Sequence, residues 1–447
     1  MFPSLVLTPL LLAGLQAVTV NAISTISATG AKFFYENGTQ YYIKGIAYQL
    51  TPEDPLTDEA QCKRDIVRMS ELGANAIRVY HVDASADHDG CMTAFADAGI
   101  YLFVDLDTFT TAIDQTAPHW NKTQYDRFSA VLDEFQQYDN TAGVFVGNEV
   151  LTTINGSIAA PYVLAAARDI KAYRDKKGYR EIPVGYSAAD ISELRPMLQD
   201  YVACSTNSSE RLDFYSLNAY EWCGESSYST SGYDELQKNA TGYPIPIFFS
   251  ETGCNTPAPR TFDDQAAILG SEMDGTWSGA IIYEWIEETN DYGLISYGAS
   301  VSNAAATNTL VVDGYTRQGT PTPVSPDFTN LKTHWATLNP TGVSLSAYKS
   351  STSAITYPDC PSSTSGGWAV DPSSALPTLG QTYNKDAASA DSTGTGSSTG
   401  SSSGTTASST KNGAAGNMML AGNPATERLF AASIVLSGVL GMVAFWL

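Results

Sequence analysis

Short runs of β-branched and aromatic residues alternate with amphipathic stretches along most of this chain, and that alternation limits it to folds built from repeated βα units. The strand candidates are residues 41–48, 76–80, 100–105, 142–149, 182–186, 212–220, 245–251 and 279–284. Amphipathic helices are expected between most of them. The clearest are residues 59–72, where Cys62, Ile66, Met69 and Leu72 share one face, then 125–137 and 161–177. Eight such strands with intervening helices in a single α/β domain favour a (β/α)8 TIM barrel over a doubly wound sheet. No Gly-x-Gly-x-x-Gly or phosphate loop follows any strand, which removes the usual reason to prefer the latter.

Two of the apolar runs end in a glutamate: Glu149 closes the fourth strand and Glu251 the seventh. In an α/β barrel the C-terminal ends of the strands carry the chemistry. Two carboxylates converging on one cleft are what cleavage of a glycosidic bond requires, one to protonate the leaving oxygen and one to attack the anomeric carbon. A lone strand-end glutamate reads as a solvated side chain, but two in matching contexts read as a pair. Gln49, Tyr80, Asp105, Asn218, Tyr220 and Tyr283 end other strands, as rim packing or as a ring of sugar-binding groups. Glu221 and Glu284 also stand near strand ends and are the rival acids.

Both ends of the chain carry processing signals. Residues 1–22 read as a signal peptide, an apolar stretch without acidic residues that ends in Val20, Asn21 and Ala22. Residues 23–349 are mixed and aromatic-rich, enough for one catalytic domain. From 350 to 411 the composition turns to Ser, Thr and Gly, which reads as a disordered, O-glycosylated stalk. Residues 412–447 combine small residues at Asn412, a polar spacer and an apolar tail at 429–447, the order of a GPI-anchor signal with Asn412 as the omega site. The rival is a transmembrane anchor, but no basic cluster follows the tail. The expected location is the outer face of the plasma membrane, or the wall beyond it.

A net charge of −23 and a pI near 4.4 argue against nucleic acid or an anionic membrane surface as partners and leave a neutral polymer unaffected. The cysteines Cys62, Cys91, Cys204, Cys223, Cys254 and Cys360 form an even set behind a secretory signal and imply three disulfides among fifteen connectivities. No Cys-x-x-Cys pair occurs and only four histidines are present, so no metal site is expected. Asn37, Asn121, Asn155, Asn207 and Asn239 stand in Asn-x-Ser/Thr triplets, the acceptors of N-glycosylation.

At these residues the chain resembles the fungal GPI-anchored β-1,3-glucanosyltransferases. The likeness runs over about residues 26–360 and rests on segments 41–49, 75–80, 147–149 (Gly-Asn-Glu), 218–224, 248–254 and 283–285, in order and with matching cysteines. The resemblance implies Glu149 as acid/base and Glu251 as nucleophile of a retaining transglycosidase. Asn148 would bind the sugar 2-hydroxyl, Tyr220 would orient the nucleophile, and Gln49, Tyr80, Asp105 and Tyr283 would line the subsites. The implied disulfides are Cys62–Cys91, Cys204–Cys360 and Cys223–Cys254. No cofactor is implied; the partners are a β-1,3-glucan and a GPI lipid, and the protein would act as a monomer. Unlike many relatives, the chain has no cysteine after Cys360 for a cysteine-rich glucan-binding module, and Thr252 stands where relatives often have Tyr. An endo-β-1,3-glucanase shares the same intermediate and stays open as an alternative, as does a non-catalytic wall mannoprotein.

Overall fold

The computed structural model describes residues 23–299, 310–351 and 355–384. Eight parallel strands close into a barrel: β1 Ile43–Ala47, β2 Ala76–Val79, β3 Tyr101–Asp105, β4 Thr141–Asn148, β5 Val184–Ala189, β6 Phe214–Asn218, β7 Ile247–Thr252 and β8 Trp277–Ile282, with β8 hydrogen-bonded back to β1. The helices that follow are α1 Glu59–Leu72, α2 Asp89–Asp97, α3 Lys122–Phe135, α4 Ala160–Lys177, α5 Arg195–Tyr201, α6 Tyr233–Ala240, α7 Asp264–Ile268 and, after β8, α8 Asp327–Thr337.

Local chemistry sets the helix ends. Asp58 caps α1 by accepting from the Gln61 amide, and Gly73 ends it in the left-handed conformation at φ +82°. Asn121 and Gln124 form a reciprocal capping box that starts α3 three residues before the apolar periodicity becomes visible. Strand bounds shift by up to three residues in several places, and two of the differences have a clear local cause. The run 41–48 is divided, because Gln40–Tyr41 pairs with the N-terminal hairpin of Ile26–Thr29 and Lys32–Tyr35 and only Ile43–Ala47 enters the barrel. β5 begins after Pro183, which has no amide proton to donate to a ladder, and runs on through Ser187, Ala188 and Ala189.

Side chains at alternate positions of each strand fill the interior in layers. On β3 the file is Tyr101, Phe103, Asp105, and on β2 it is Ala76, Arg78, Tyr80, so the filling changes from aromatic to polar toward the C-terminal face. The lower layer is a phenyl cluster of Phe103, Phe145, Phe214 and Phe248. Phe33 enters it from the N-terminal hairpin, with ring centroids 5.9–6.2 Å from Phe214, Phe248 and Phe103. Gly185 makes room for it, since a Cβ there would lie 2.3 Å from the Phe214 ring.

The folded region does not end at residue 349. The Ser/Thr-rich segment 355–384, expected as the start of a stalk, packs along the barrel. Cys360 is bonded to Cys204, Trp368 is fully buried against Tyr201, and the Ala369 amide donates to the Ser157 hydroxyl at 3.0 Å. Gln381–Thr382 then pairs antiparallel with His119–Trp120. Composition underestimated this stretch because a disulfide and one buried tryptophan anchor it in place of a continuous apolar face. The disulfides are Cys62–Cys91, Cys204–Cys360 and Cys223–Cys254. Residues 1–22, the remaining stalk, Asn412 and the apolar tail lie outside the described residues.

Candidate active site

Glu251 stands near the C-terminal end of β7 and is 8% exposed. The Tyr80 hydroxyl donates to its Oε1 at 2.9 Å and the Tyr220 hydroxyl to its Oε2 at 2.8 Å. The Arg78 guanidinium approaches Oε1 at 3.3 Å. Burial pushes the Glu251 carboxyl up to about 7; Arg78, Tyr220 and Tyr80 pull it down, and the nearby Glu149 pushes it up. Burial, then the charge of Glu251, hold the Tyr80 and Tyr220 phenols well above their ordinary value, so both remain donors.

Glu149 sits one residue past β4 with φ +48°, a left-handed conformation that a non-glycine residue adopts at a cost on the order of 1 kcal/mol. This turns the chain out of the strand at the carboxylate itself, and the Glu149 amide still donates to the Ser187 carbonyl at 2.8 Å. The Asn218 side-chain amide donates to Glu149 Oε1 and to Asn148 Oδ1, both at 3.0 Å, from a position that is in register with Glu251. Asn148 Oδ1 also receives Arg78 at 2.9 Å and lies 2.8 Å from the Ser187 hydroxyl.

Beneath both carboxylates lies Arg78, which the motif at 75–80 contained but sequence reading passed over. It is fully buried, bonded to Asp105 at 3.1 and 2.9 Å, and its guanidinium stacks 4.3 Å from the Tyr80 ring centroid and 4.4 Å from that of Phe145. Burial opposes its charge, but Asp105, Tyr80 and Glu251 outweigh that and hold Arg78 charged. Asp105, expected to line a subsite, is 1% exposed with both oxygens on Arg78. It holds the arginine from below the cleft. A buried arginine inside an apolar run is the signal that could have revealed this, because such a charge needs a partner across the strands.

Gln49 donates to the Tyr283 hydroxyl at 2.9 Å and to Glu284 at 2.7 Å. Tyr283 belongs to an aromatic trio with Tyr220 and Tyr292, with ring centroids 5.4–6.4 Å apart; Tyr292 carries no strand-end signal in the sequence. Of the rival acids, Glu284 is fully buried, accepts from Gln49 and Asn290, and is pushed up to about 8 by burial and by Glu288. Glu221 is exposed and its carboxyl bonds Asp190. Neither shares the Asn148, Asn218 and Arg78 network that joins Glu149 to Glu251. The triplet asparagines Asn37, Asn155, Asn207 and Asn239 are exposed, and Asn121 is half-buried as the α3 cap.

A family model described as Glucanosyltransferase matches residues 15–312. The chain is 41% identical over 370 residues to Protein EPD1 of Candida maltosa, a match spanning 80% of this chain and 63% of that one. It is 40% identical over 360 residues to the 1,3-beta-glucanosyltransferase gas2 of Schizosaccharomyces pombe, spanning 77% and 73%. A mutant Gas2p of Saccharomyces cerevisiae, solved in complex with laminaritetraose and laminaripentaose, superposes with a TM-score of 0.70 at 37% identity, covering 80% of this chain and 75% of that one. The chain therefore spans less than two thirds of EPD1 and about three quarters of the other two.

Proposed function

The chain belongs to the glucanosyltransferase family, and from that premise we propose that it is a retaining β-1,3-glucanosyltransferase that cleaves a β-1,3-glucan and transfers the new reducing end to the non-reducing end of another, elongating the polymer. The observation that carries this reading is Glu251: a buried carboxylate gripped on both oxygens by tyrosine hydroxyls and set beside Arg78, with Glu149 joined to it through Asn218, Asn148 and Arg78. Such fixed donors aim one oxygen lone pair and keep the group from rotating, which suits a nucleophile.

In the first step Glu251 attacks the anomeric carbon while Glu149 gives its proton to the departing glycosidic oxygen, leaving a covalent glucosyl-enzyme. The Asn148 amide binds the 2-hydroxyl of the sugar, a contact that strengthens as positive charge grows at the ring. In the second step Glu149 takes the proton from the 3-hydroxyl of an acceptor glucan, which displaces Glu251 and restores the β configuration. Transfer must outrun water, so the Tyr220, Tyr283 and Tyr292 cluster serves to hold the acceptor at high effective molarity. The enzyme acts as a monomer, and the terminal segments support secretion and GPI attachment at the outer membrane face.

Incubation with a β-1,3-gluco-oligosaccharide of about ten units, followed by product sizing, tests the reading: products longer than the substrate are expected, with β linkages. Only shorter products at every substrate concentration would make the protein a hydrolase.

A further inference from the structure

Phe109 is 52% exposed, and among the described residues it is the one aromatic side chain left open to solvent to this extent. A single exposed phenyl is ordinary on a protein surface, but this one is braced. Its ring lies against the imidazole of His81 with centroids 3.8 Å apart and planes 34° from parallel. The imidazole is itself fixed by a bond to the Asp107 backbone, and burial pushes it down to about 4, so it is neutral and presents no charge that would draw water over the phenyl. Its Nδ1 is buried without a hydrogen-bond partner, so the stacked face against Phe109 is the main contact on that side of the ring.

Both residues stand on the catalytic face. His81 directly follows Tyr80, whose hydroxyl donates to Glu251, and Phe109 lies four residues beyond Asp105 in the loop after β3. Resting on the glucanosyltransferase reading above, we propose that Phe109, backed by His81, is an aromatic shelf that stacks a glucosyl ring of a long glucan outside the sugar held at Glu149 and Glu251. The C–H face of a β-glucosyl ring fits a flat apolar surface, and a ring pinned by a stacked neighbour loses little freedom when a sugar settles on it. The shelf is a chain-length determinant: it acts on substrates long enough to reach it and leaves the chemistry alone.

The test is the KM and kcat of wild type, Phe109→Ala, Phe109→Leu and Phe109→Trp on β-1,3-gluco-oligosaccharides of increasing length, with thermal unfolding of each variant. Alanine and leucine should raise KM about three- to tenfold for the longer substrates, with kcat and the shortest substrates unchanged, and tryptophan should restore the wild-type value. Leucine separates an aromatic face from mere apolar bulk, since a packing role would survive it. With wild type active, equal KM values at all lengths, or a loss confined to kcat, overturn the shelf alone. Absence of any wild-type turnover overturns the reading beneath it as well.

Discussion

Arg78 grips Asp105 on the neighbouring strand through two nitrogen–oxygen contacts of 3.1 and 2.9 Å, and neither side chain is more than 1% exposed. The pair is a foundation for the carboxylates above it, since the same guanidinium reaches Asn148 and Glu251. Replacing Arg78 by Met leaves Asp105 buried without its partner and should cost about 3–5 kcal/mol of stability. Asp105→Asn should lower kcat with KM nearly unchanged, because Asp105 acts through Arg78 beneath the cleft. A KM effect with kcat preserved would return Asp105 to the subsite.

Glu149→Gln and Glu251→Gln should each abolish turnover without loss of fold. Glu251→Gln should also stabilise the protein. Its carboxyl is raised from 4.5 to about 7 on folding, so the penalty for burying the ionised form is absent below about 4.5 and complete above about 7. Removing the charge should therefore gain up to about 3 kcal/mol at pH 8, read as a higher Tm. An active Glu251→Gln enzyme would move the nucleophile elsewhere.

Tyr80→Phe and Tyr220→Phe each remove a donor to ionised Glu251. The acid limb of kcat/KM should shift to higher pH by about one to two units in either variant, because hydrogen bonds to charged groups contribute about 1.5–3 kcal/mol. Limbs that coincide with wild type would show that the phenols position substrate and do not tune the carboxylate.

Thermal stability should decline as pH rises from about 4 to about 8. Burial pushes Asp65 up to about 6, Glu251 and Glu287 to about 7, and Asp107 and Glu284 to about 8. His88 opposes burial through Asp54 and Glu134, at 2.8 and 2.9 Å, and is held above 6.5. All of these favour the protonated form in the folded state, so their contribution is complete below the unfolded values and is lost as pH passes through the folded ones. A Tm that climbs across this interval, at constant ionic strength, would contradict the assignment.

Cys204 and Cys360 are 156 residues apart, so their bond removes about 5 kcal/mol of chain entropy from the unfolded state in the loop-closure model. Cys360→Ser should lower Tm and open the 355–384 segment to proteases first, seen as early cleavage near Trp368. Equal cleavage rates in mutant and wild type would mean that Trp368 and the Gln381–Thr382 pairing hold the segment unaided.

Much of this arrangement was legible in the sequence, and the exceptions share a cause. The barrel, Glu149 and Glu251 announce themselves through local periodicity that breaks at a charged residue. The role of Asp105 does not, because it is set by Arg78 on another strand, and no window along the chain contains both. The start of β5 and of α3 was displaced by Pro183 and by the Asn121–Gln124 cap, signals of single residues that apolar counting overlooks. Segment 355–384 was misjudged for the converse reason: its order is imposed by contacts with α4, α5 and the loop before α3, not by its own composition.

Phe33 gives the barrel a schedule as well as a floor. Its phenyl partners come from β3, β6 and β7, so the hairpin, which precedes every barrel strand in the chain, has no finished seat until most of the ring has been synthesised. Contacts of such long sequence separation are made late, and the early chain must carry exposed aromatic surface meanwhile. The hairpin thus makes assembly of the ring through β7, and not of any half of it, the condition for burying its own aromatic surface.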